Sequence, residues 1–407
     1  MQQQVIVIGG GPAGMMAAIA AASCGETTLL LEKNEKLGKK LFITGKGRCN
    51  LTNDCDQDTF LKNVVHHAQF MYSSISRFDH TRLMDFITDQ GCRLKVERGH
   101  RVFPVSDKSS DIIKAFERGL GRYGVEVRLN TPVESIVTEG GKAVGVKLEN
   151  EQVIRGEKII VATGGLSYRS TGSDGWGLKT ARRLGHDIVP CRPSLVGLKT
   201  KENWPQKVQG IALKNVEVTL VHRKKKLRTE RGEMLLTHFG VSGPLILTDS
   251  AYMDRPASEY HLILDFKPAL TEKQLDQRIQ REIRANENKQ IVHAVASLLP
   301  KKLIPVLLDL ADVDQLKKAN QITKGERQRM IGALKHQVLT IEDFCDINTA
   351  IVTSGGVNVK EINPKTMASK KIEHLYFAGE ILDVDALTGG FNIQIAATTG
   401  YVAGMRS

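Results

Sequence analysis

Gly9, Gly11 and Gly14 stand in the spacing G-x-G-x-x-G directly after the apolar run 4–8. In such a pattern the first glycine permits a tight turn, the second lets backbone approach a pyrophosphate, and the third lets a helix pack on a sheet. A helix opening at Pro12 presents its first N–H groups and a positive dipole end to phosphates. Glu32 follows at the end of a second apolar run, 27–31. A carboxylate there accepts hydrogen bonds from both ribose hydroxyls and repels a 2′-phosphate. Gly119, Gly121 and Gly124 repeat the spacing, but after a helical stretch and before a strand. That order is wrong for a nucleotide site and reads as a helix-ending turn. Apart from it there is no second fingerprint, so a nicotinamide donor would bind without a Rossmann module of its own.

Other residues could carry chemistry. Cys49 lies in a Gly- and Lys-rich stretch, 33–53, that reads as a long loop, and Cys55 follows six positions later. A redox disulfide, a thiol proton donor and a buried structural thiol are the three readings of Cys49, the last being the plainest. Lys39, Lys40, Lys46 and Arg48 bracket the same loop; Lys40 and Arg48 are the cations expected beside a pyrophosphate. His238, ahead of Phe239-Gly-Val-Ser-Gly-Pro244, is a candidate acid or carbonyl-orienting group, or else a structural histidine at a strand end. No Cys or His spacing suits a metal, and the six cysteines form no C-x-x-C pair and no disulfide framework.

These residues need a frame to position them. Strand, turn, helix, strand over the first thirty residues is half of a βαβ repeat. Segments 58–76, 80–90, 109–122 and 175–184 read as helices, and 125–129 and 132–161 as short strands. From about 191 the texture changes to strands at 216–221 and 262–265, then to helices over 267–335. The glycine-rich apolar style returns at 380–401. The expected domains are 1–190 with 350–407, a β-rich insert of 191–266 with 337–349, and a helical subdomain 267–336.

The composition, 407 residues with 41% hydrophobic and 25% charged, excludes disorder and collagen-like repeats. No apolar run reaches the roughly 18 residues of a membrane span, and the start lacks the basic region of a signal peptide, so a cytoplasmic protein is expected. The net charge is +12, and residues 191–336 hold 26 Lys and Arg against 16 Asp and Glu. This excess is either a solvated basic surface or the footprint of a polyanion. Arg223, Lys224, Lys225, Lys226, Arg228 and Arg231 concentrate it in one hairpin.

The end of the chain favours FAD over NAD at Gly9. Gly379-Glu380 ends a strand, and Asp383, Gly389-Gly390 and Asn392 lead into a second helix. Its N-terminus can face the far end of an extended cofactor and stabilise negative charge on a reduced flavin.

The sequence resembles the bacterial flavoproteins labelled NAD(FAD)-utilising dehydrogenases, whose relatives include bile-acid reductase, aminoacetone oxidase and ribosomal RNA dihydrouridine synthase. The resemblance rests on residues 9–17, on Gly38-Lys-Lys-Leu-Phe-Ile-Thr-Gly45-Lys-Gly-Arg48-Cys49-Asn50-Leu-Thr-Asn53, and on Ala162-Thr163-Gly164-Gly165. It continues in 232–244, 352–357 and 377–400. Phe391 departs from the tyrosine common in relatives. The resemblance implies an α/β fold: a Rossmann-like FAD domain, an inserted β-barrel-like domain and a small helical domain. It also implies FAD contacts from Ala13, Glu32, Lys33, Lys40, Asn50, Val133, Thr163, Asp383, Asn392 and Ile393, with Gly45, Ala162, Gly164, Gly379, Glu380 and Gly390 in the matching motifs.

The expected activity is an FAD-dependent oxidoreductase, driven by NAD(P)H, that reduces a conjugated C=C bond. Its substrate would be a uracil in ribosomal RNA or a 3-oxo-4-ene steroid; the basic insert favours the RNA, although charge does not settle the matter. An oxygen-using amine or aminoketone oxidase and a non-enzymatic RNA-binding flavoprotein are the alternatives. The oligomeric state stays open.

Overall fold

The computed structural model describes residues 3–406 and divides the chain into two compact units, 1–194 with 346–407, and 195–345. The boundary falls after Ser194 because the strand Ile188–Ser194 pairs antiparallel with Val352–Val357.

The first unit is built on a seven-stranded sheet. Gln3–Ile8 lies parallel between Thr28–Leu31 and Val153–Val161. Glu126–Arg128 extends it in parallel on one side and Leu375–Phe377 pairs in parallel with Val153–Val161. Lys142–Leu148 and Val133–Glu139 add an antiparallel edge. Val5–Ile8, Leu29–Leu31 and Ile159–Val161 are buried, as expected where helices cover both faces of a parallel sheet.

The opening helix, Pro12–Ser23, is buried from Ala13 through Ala21 and has no polar stripe. A helix apolar all round must be enclosed. Its cover is the closing helix, Phe391–Gly404, also buried along most of its length, which approaches through glycines. A Cβ on Gly404 would lie 2.3 Å from the Ala17 carbonyl oxygen.

Two local expectations are corrected. The stretch 33–53 is not wholly irregular: it holds a helical turn, Lys39–Ile43, and a tighter one, Thr44–Gly47. The helix expected over 58–76 breaks into Gln57–Asn63 and Ala68–Ile75. Between them, Val64 bridges Ala386, and Val65 N–H donates to the Asp385 carbonyl at 2.8 Å. Pairing with a distant segment overrides the local helical pattern there.

The second unit contains a closed barrel. Its strands, in barrel order, are Leu198–Thr200, Gly240–Ser242, Lys225–Thr237, Ala212–His222, Tyr260–Asp265 and Gln337–Phe344. Leu220, Leu236, Leu262, Leu264, Leu339 and Ile341 are fully buried. The helices Glu272–Ala285 and Lys324–Lys335 in the same unit start with capping boxes, Thr271 with Gln274 and Thr323 with Glu326. The Rossmann-like domain, the β-barrel insert and the helical part thus match the fold expected from sequence.

Candidate active site

Gly9 turns the chain between strand and opening helix with φ of 107°, and a Cβ on it would lie 2.6 Å from the Ala162 carbonyl oxygen. A Cβ on Gly14 would lie 1.8 Å from the Gly9 carbonyl oxygen. Packing therefore demands both. Gly11 differs: its φ is −79°, and a Cβ on it would meet no protein atom within 4 Å. Nothing within the chain requires glycine at that position, which leaves the open approach that a pyrophosphate needs.

Both apolar helices begin without a side-chain cap, one at Gly11 and the other at Gly390. First-turn N–H groups normally find a partner. Other helices of this unit also start uncapped, among them Ser109–Arg122 and Trp176–Arg183, but these two start at glycines beside the nucleotide turn and the closing turn, which suits a long anionic ligand that reaches both. Ala13 joins the two ends of the chain: a Cβ on Gly379 would lie 2.7 Å from the Ala13 methyl.

Glu32 is buried at the end of its strand. One carboxylate oxygen accepts from Gly10 N–H at 2.6 Å, and the other accepts from Asn34 N–H at 2.8 Å and the Asn34 side chain at 2.7 Å. Its orientation is thereby fixed beside the glycine turn. Lys33 pairs with Asp174 at 2.6 Å, and Asp174 lines a cleft of about 360 Å³ together with Val133, Trp176, Lys179 and Arg183. Thr163, two residues past the end of the strand Val153–Val161, has a buried hydroxyl without a hydrogen-bond partner, and Gly164 follows with φ of 74°. These residues fit the adenosine half of a dinucleotide, and the orphaned hydroxyl is one of the groups a ligand could satisfy.

Lys40 and Arg48 meet carboxylates. Lys40 donates to Glu380 and to Ser167, each at 2.6 Å. Glu380 also accepts from Ser167 at 3.0 Å and from Thr353 N–H at 2.7 Å. Arg48 pairs with Glu97 and Asp107 and lies over the Phe103 ring, 4.2 Å from its centroid. Hydrogen bonds donated to Glu97 and Asp107 raise the guanidinium's already high pKa.

Gly45, Lys46, Gly47 and Cys49 all take positive φ. Asn50 spans the Thr52 carbonyl and the Gly390 N–H, 3.1 Å from each once its amide nitrogen faces Thr52. Cys49 is fully buried, and desolvation pushes its thiol up to about 12. Burial also pushes the Cys55 thiol up to about 11, and both are free cysteines. Neither is a thiolate near neutral pH.

At the closing end, Asn392 accepts from Ala386 N–H at 2.9 Å and donates back to the Ala386 carbonyl at 2.7 Å. Ile393 sits beside it in the first turn of the closing helix. Asp383 is buried and faces His67 Nε2 at 2.9 Å; burial raises its carboxyl pKa despite the opposing pull of the imidazole. His238 belongs to the second unit, exposed on the turn between two barrel strands with its ring edge-on to Phe239.

Sequence reasoning missed a second cluster in the first unit. His66 Nδ1 lies 2.6 Å from Asp385 and its Nε2 lies 3.1 Å from Arg192. Ser194 and Ser354 donate to the same Asp385 carboxylate at 3.0 and 3.2 Å. The adjacent His66-His67 pair and the alternating Asp383-Val-Asp385 are the only signals in the sequence, and they lie more than three hundred positions apart.

No helix among the described residues is long and apolar enough to cross a membrane. The family model described as HI0933-like protein Rossmann domain matches residues 3–406. A 3-dehydro-bile acid delta(4,6)-reductase of Clostridium scindens is 32% identical over 92% of this chain and 91% of its own length. A ribosomal RNA dihydrouridine synthase of Escherichia coli is 28% identical over 93% and 91%. Among solved structures, a 3-ketosteroid-Δ4-(5α)-dehydrogenase of Rhodococcus jostii shares the fold. It has a TM-score of 0.53 and 16% identity, and the match covers 99% of this chain and 96% of that one. The chain belongs to the HI0933-like Rossmann family of flavoenzyme oxidoreductases.

Proposed function

We propose that the chain is an FAD-dependent, NAD(P)H-driven cytoplasmic reductase of a carbon–carbon double bond conjugated to a carbonyl, with a 3-oxo-4-ene steroid as the favoured substrate class. The observation that carries the FAD part is Gly11. Its missing side chain serves no contact inside the protein, at the uncapped start of a helix whose counterpart starts uncapped at Gly390.

FAD, when bound, supplies a two-electron couple that exchanges a hydride with donor and substrate. The chain's own residues do the rest. Gly9 and Gly14 set the turn and the helix seat, and Glu32 is held ready for ribose hydroxyls. The two helix starts bring positive potential to pyrophosphate and flavin edge. The Lys40–Glu380 pair and the Thr353 hydroxyl, which accepts from Leu166 and Ser167 N–H, fix the segment between them.

The steroid-like substrate is favoured by the identity to the bile-acid reductase. Arg223 pairs with Glu259, Arg228 with Asp249 and Glu230, and Arg231 with Glu217. Arg327 pairs with Asp276, Lys317 with Glu326 and Lys335 with Asp265. These pairs fix individual cations within the fold but leave the excess of Lys and Arg over Asp and Glu unchanged. The exposed run Lys224–Lys226 and the relatives named as dihydrouridine synthases favour uracil in ribosomal RNA as the second reading. Both substrates present a C=C bond conjugated to C=O.

The test is anaerobic. Holoenzyme reduced with NADH or NADPH is mixed with a 3-oxo-4-ene steroid, with a ribosomal RNA transcript, or with oxygen. Return of the oxidised flavin spectrum with the steroid, together with saturated product, supports the reading. Reoxidation by RNA alone selects the second reading, and reoxidation by oxygen alone overturns both.

A further inference from the structure

We propose that His67, oriented by Asp383, is the catalytic acid that protonates the α-carbon of the substrate. The proposal rests on the conjugated-carbonyl reading above and adds the proton donor that such a reduction needs.

Two imidazoles stand side by side at 66 and 67, and their surroundings give them different states. His66 has both ring nitrogens engaged: Nδ1 faces Asp385 at 2.6 Å, and Nε2 faces the Arg192 guanidinium at 3.1 Å. A guanidinium only donates, so His66 Nε2 accepts. The proton left on His66 is the one it shares with a buried carboxylate. His67 has one nitrogen engaged. Its Nε2 lies 2.9 Å from Asp383 Oδ2, and among the described residues no group hydrogen-bonds its Nδ1. A carboxylate accepts, so the Nε2 proton is fixed, and Nδ1 is the position at which this ring gains and loses a proton.

Burial separates the two sides of the ring. The Asp383 side chain is 6% exposed and that of His67 is 39% exposed. The carboxylate thus lies behind the imidazole, and the open side belongs to Nδ1. A buried carboxylate in this position holds the tautomer, orients the ring and stabilises the imidazolium. His67 also takes a left-handed φ of 59°, at the entry to the helix Ala68–Ile75. A non-glycine residue keeps such a conformation where its surroundings over-determine it, and such residues cluster at active sites.

The dyad is fixed beside the start of the closing helix. Val65 N–H donates to the Asp385 carbonyl at 2.8 Å, and Leu387 N–H donates to the Asn63 carbonyl at 2.9 Å, so the segment leading to His67 runs along 385–387. Ala386 is bonded in both directions to Asn392, in the first turn of the closing helix. Phe60 packs edge-on to Phe391 in the same turn, with ring centroids 5.9 Å apart. Asp383 N–H donates to the Val357 carbonyl at 3.1 Å. Both members of the dyad are therefore held relative to the helix start to which the flavin edge is assigned.

The chemistry requires such a group. Reduction delivers a hydride to the β-carbon, its two electrons coming from reduced FAD and ultimately from the nicotinamide donor. The C=C electron pair shifts toward the carbonyl, whose oxygen becomes anionic. That pair then returns to form the α-carbon–hydrogen bond. The proton comes from His67 Nδ1, and the N–H bonding pair stays on the nitrogen. Water on the exposed side returns a proton to the ring. An imidazole suits this exchange because its ordinary pKa lies near neutrality.

The test separates the two half-reactions and adds a readout independent of turnover. The variants are His67→Asn and His67→Gly, because both residues accept a left-handed φ and preserve the fold. Flavin reduction by NAD(P)H should stay within about threefold of the parent, while anaerobic reoxidation by a 3-oxo-4-ene steroid should slow by about a hundredfold or more, the usual contribution of a general acid. Imidazole added to His67→Gly should recover about tenfold or more of that loss, since the vacated position opens to solvent. In the full chain with oxidised FAD bound and isotope-labelled histidine, the nitrogen resonances absent from His67→Asn should report a proton on Nε2 when the ring is neutral. The proposal is overturned if both variants are reoxidised at the parent's rate, if imidazole recovers nothing in His67→Gly, or if the neutral ring carries its proton on Nδ1. Failure of the parent to bind FAD, or of its reduced form to react with any conjugated carbonyl, would overturn the functional reading and this proposal together.

Discussion

Gly400 lies against the backbone of Ala13: a Cβ on Gly400 would sit 2.2 Å from the Ala13 carbonyl oxygen. The last helix of the chain thus rests directly on the first, and the start of one helix is placed relative to the start of the other. Gly400→Ala should force them apart. The expected result is destabilisation of about 1–3 kcal/mol, typical of overpacking, with lower flavin content after purification. Gly121→Ala is the control. It lies inside the helix Ser109–Arg122, where a Cβ meets nothing within 4 Å, so it should be neutral or stabilising by up to about 1 kcal/mol. Chemical denaturation and the ratio of flavin to protein absorbance measure both.

The same glycines explain what could be read in advance. Gly9, Gly14 and Gly390 carry backbone demands, and such demands leave a fixed local spacing, so the nucleotide turn and the closing turn are legible in the sequence. The barrel was announced only by a change of texture near 191 and by family resemblance, because closure depends on non-local pairings such as Leu198 with Phe344. Lys40 and Arg48 were legible as cations, but their carboxylate partners, Glu380 and Asp107, were not. The His66–Asp385 contact spans 319 positions, and its segment reads locally as helix. Nothing short-range identifies residues whose pairing is created by tertiary structure.

Gly11 and Gly14 should separate ligand binding from folding. Gly14→Ala places a methyl against the Gly9 carbonyl and should lower stability in the apo state. Gly11→Ala meets no protein atom, so apo stability should be unchanged or slightly higher, while FAD affinity falls by about tenfold or more because the methyl enters the phosphate approach. Titration of apoprotein with FAD, paired with urea unfolding, distinguishes the two. Equal FAD affinity for Gly11→Ala and the parent would remove the main argument for the cofactor site.

Cys49 should be chemically silent. Its thiol is buried and raised to about 12, so an alkylating reagent at pH 8 should leave it unmodified in the folded chain and label it after denaturation. Peptide mass spectrometry reads the difference. Cys49→Ala should lose stability through the cavity it leaves but retain turnover within a few-fold once flavin content is matched. A hundredfold loss of kcat in flavin-replete protein would return the thiol to the chemistry.

Lys158 gives a pH dependence with a definite sign. Its ammonium donates to the Met405 carbonyl at 2.8 Å and the Gly404 carbonyl at 3.3 Å, at the end of the closing helix, and lies 4.4 Å from the Tyr376 ring centroid. Burial lowers its pKa to about 8, against the smaller opposing effects of Glu26 and Cys24. An unfolded lysine titrates near 10.4, so between about pH 8 and pH 10.4 the unfolded chain binds more protons than the folded one. This residue's contribution to stability therefore rises with pH across that window, and below it the full penalty of charging the buried amine is present. Lys158→Met removes the titration together with the two hydrogen bonds. The stability difference, parent minus variant, should increase from pH 7.5 to pH 10, by at most about 3 kcal/mol if the whole shift is expressed. Urea midpoints at three pH values measure it, and a flat or falling difference would mean that the ammonium is better solvated than its position between Tyr376 and the helix end implies.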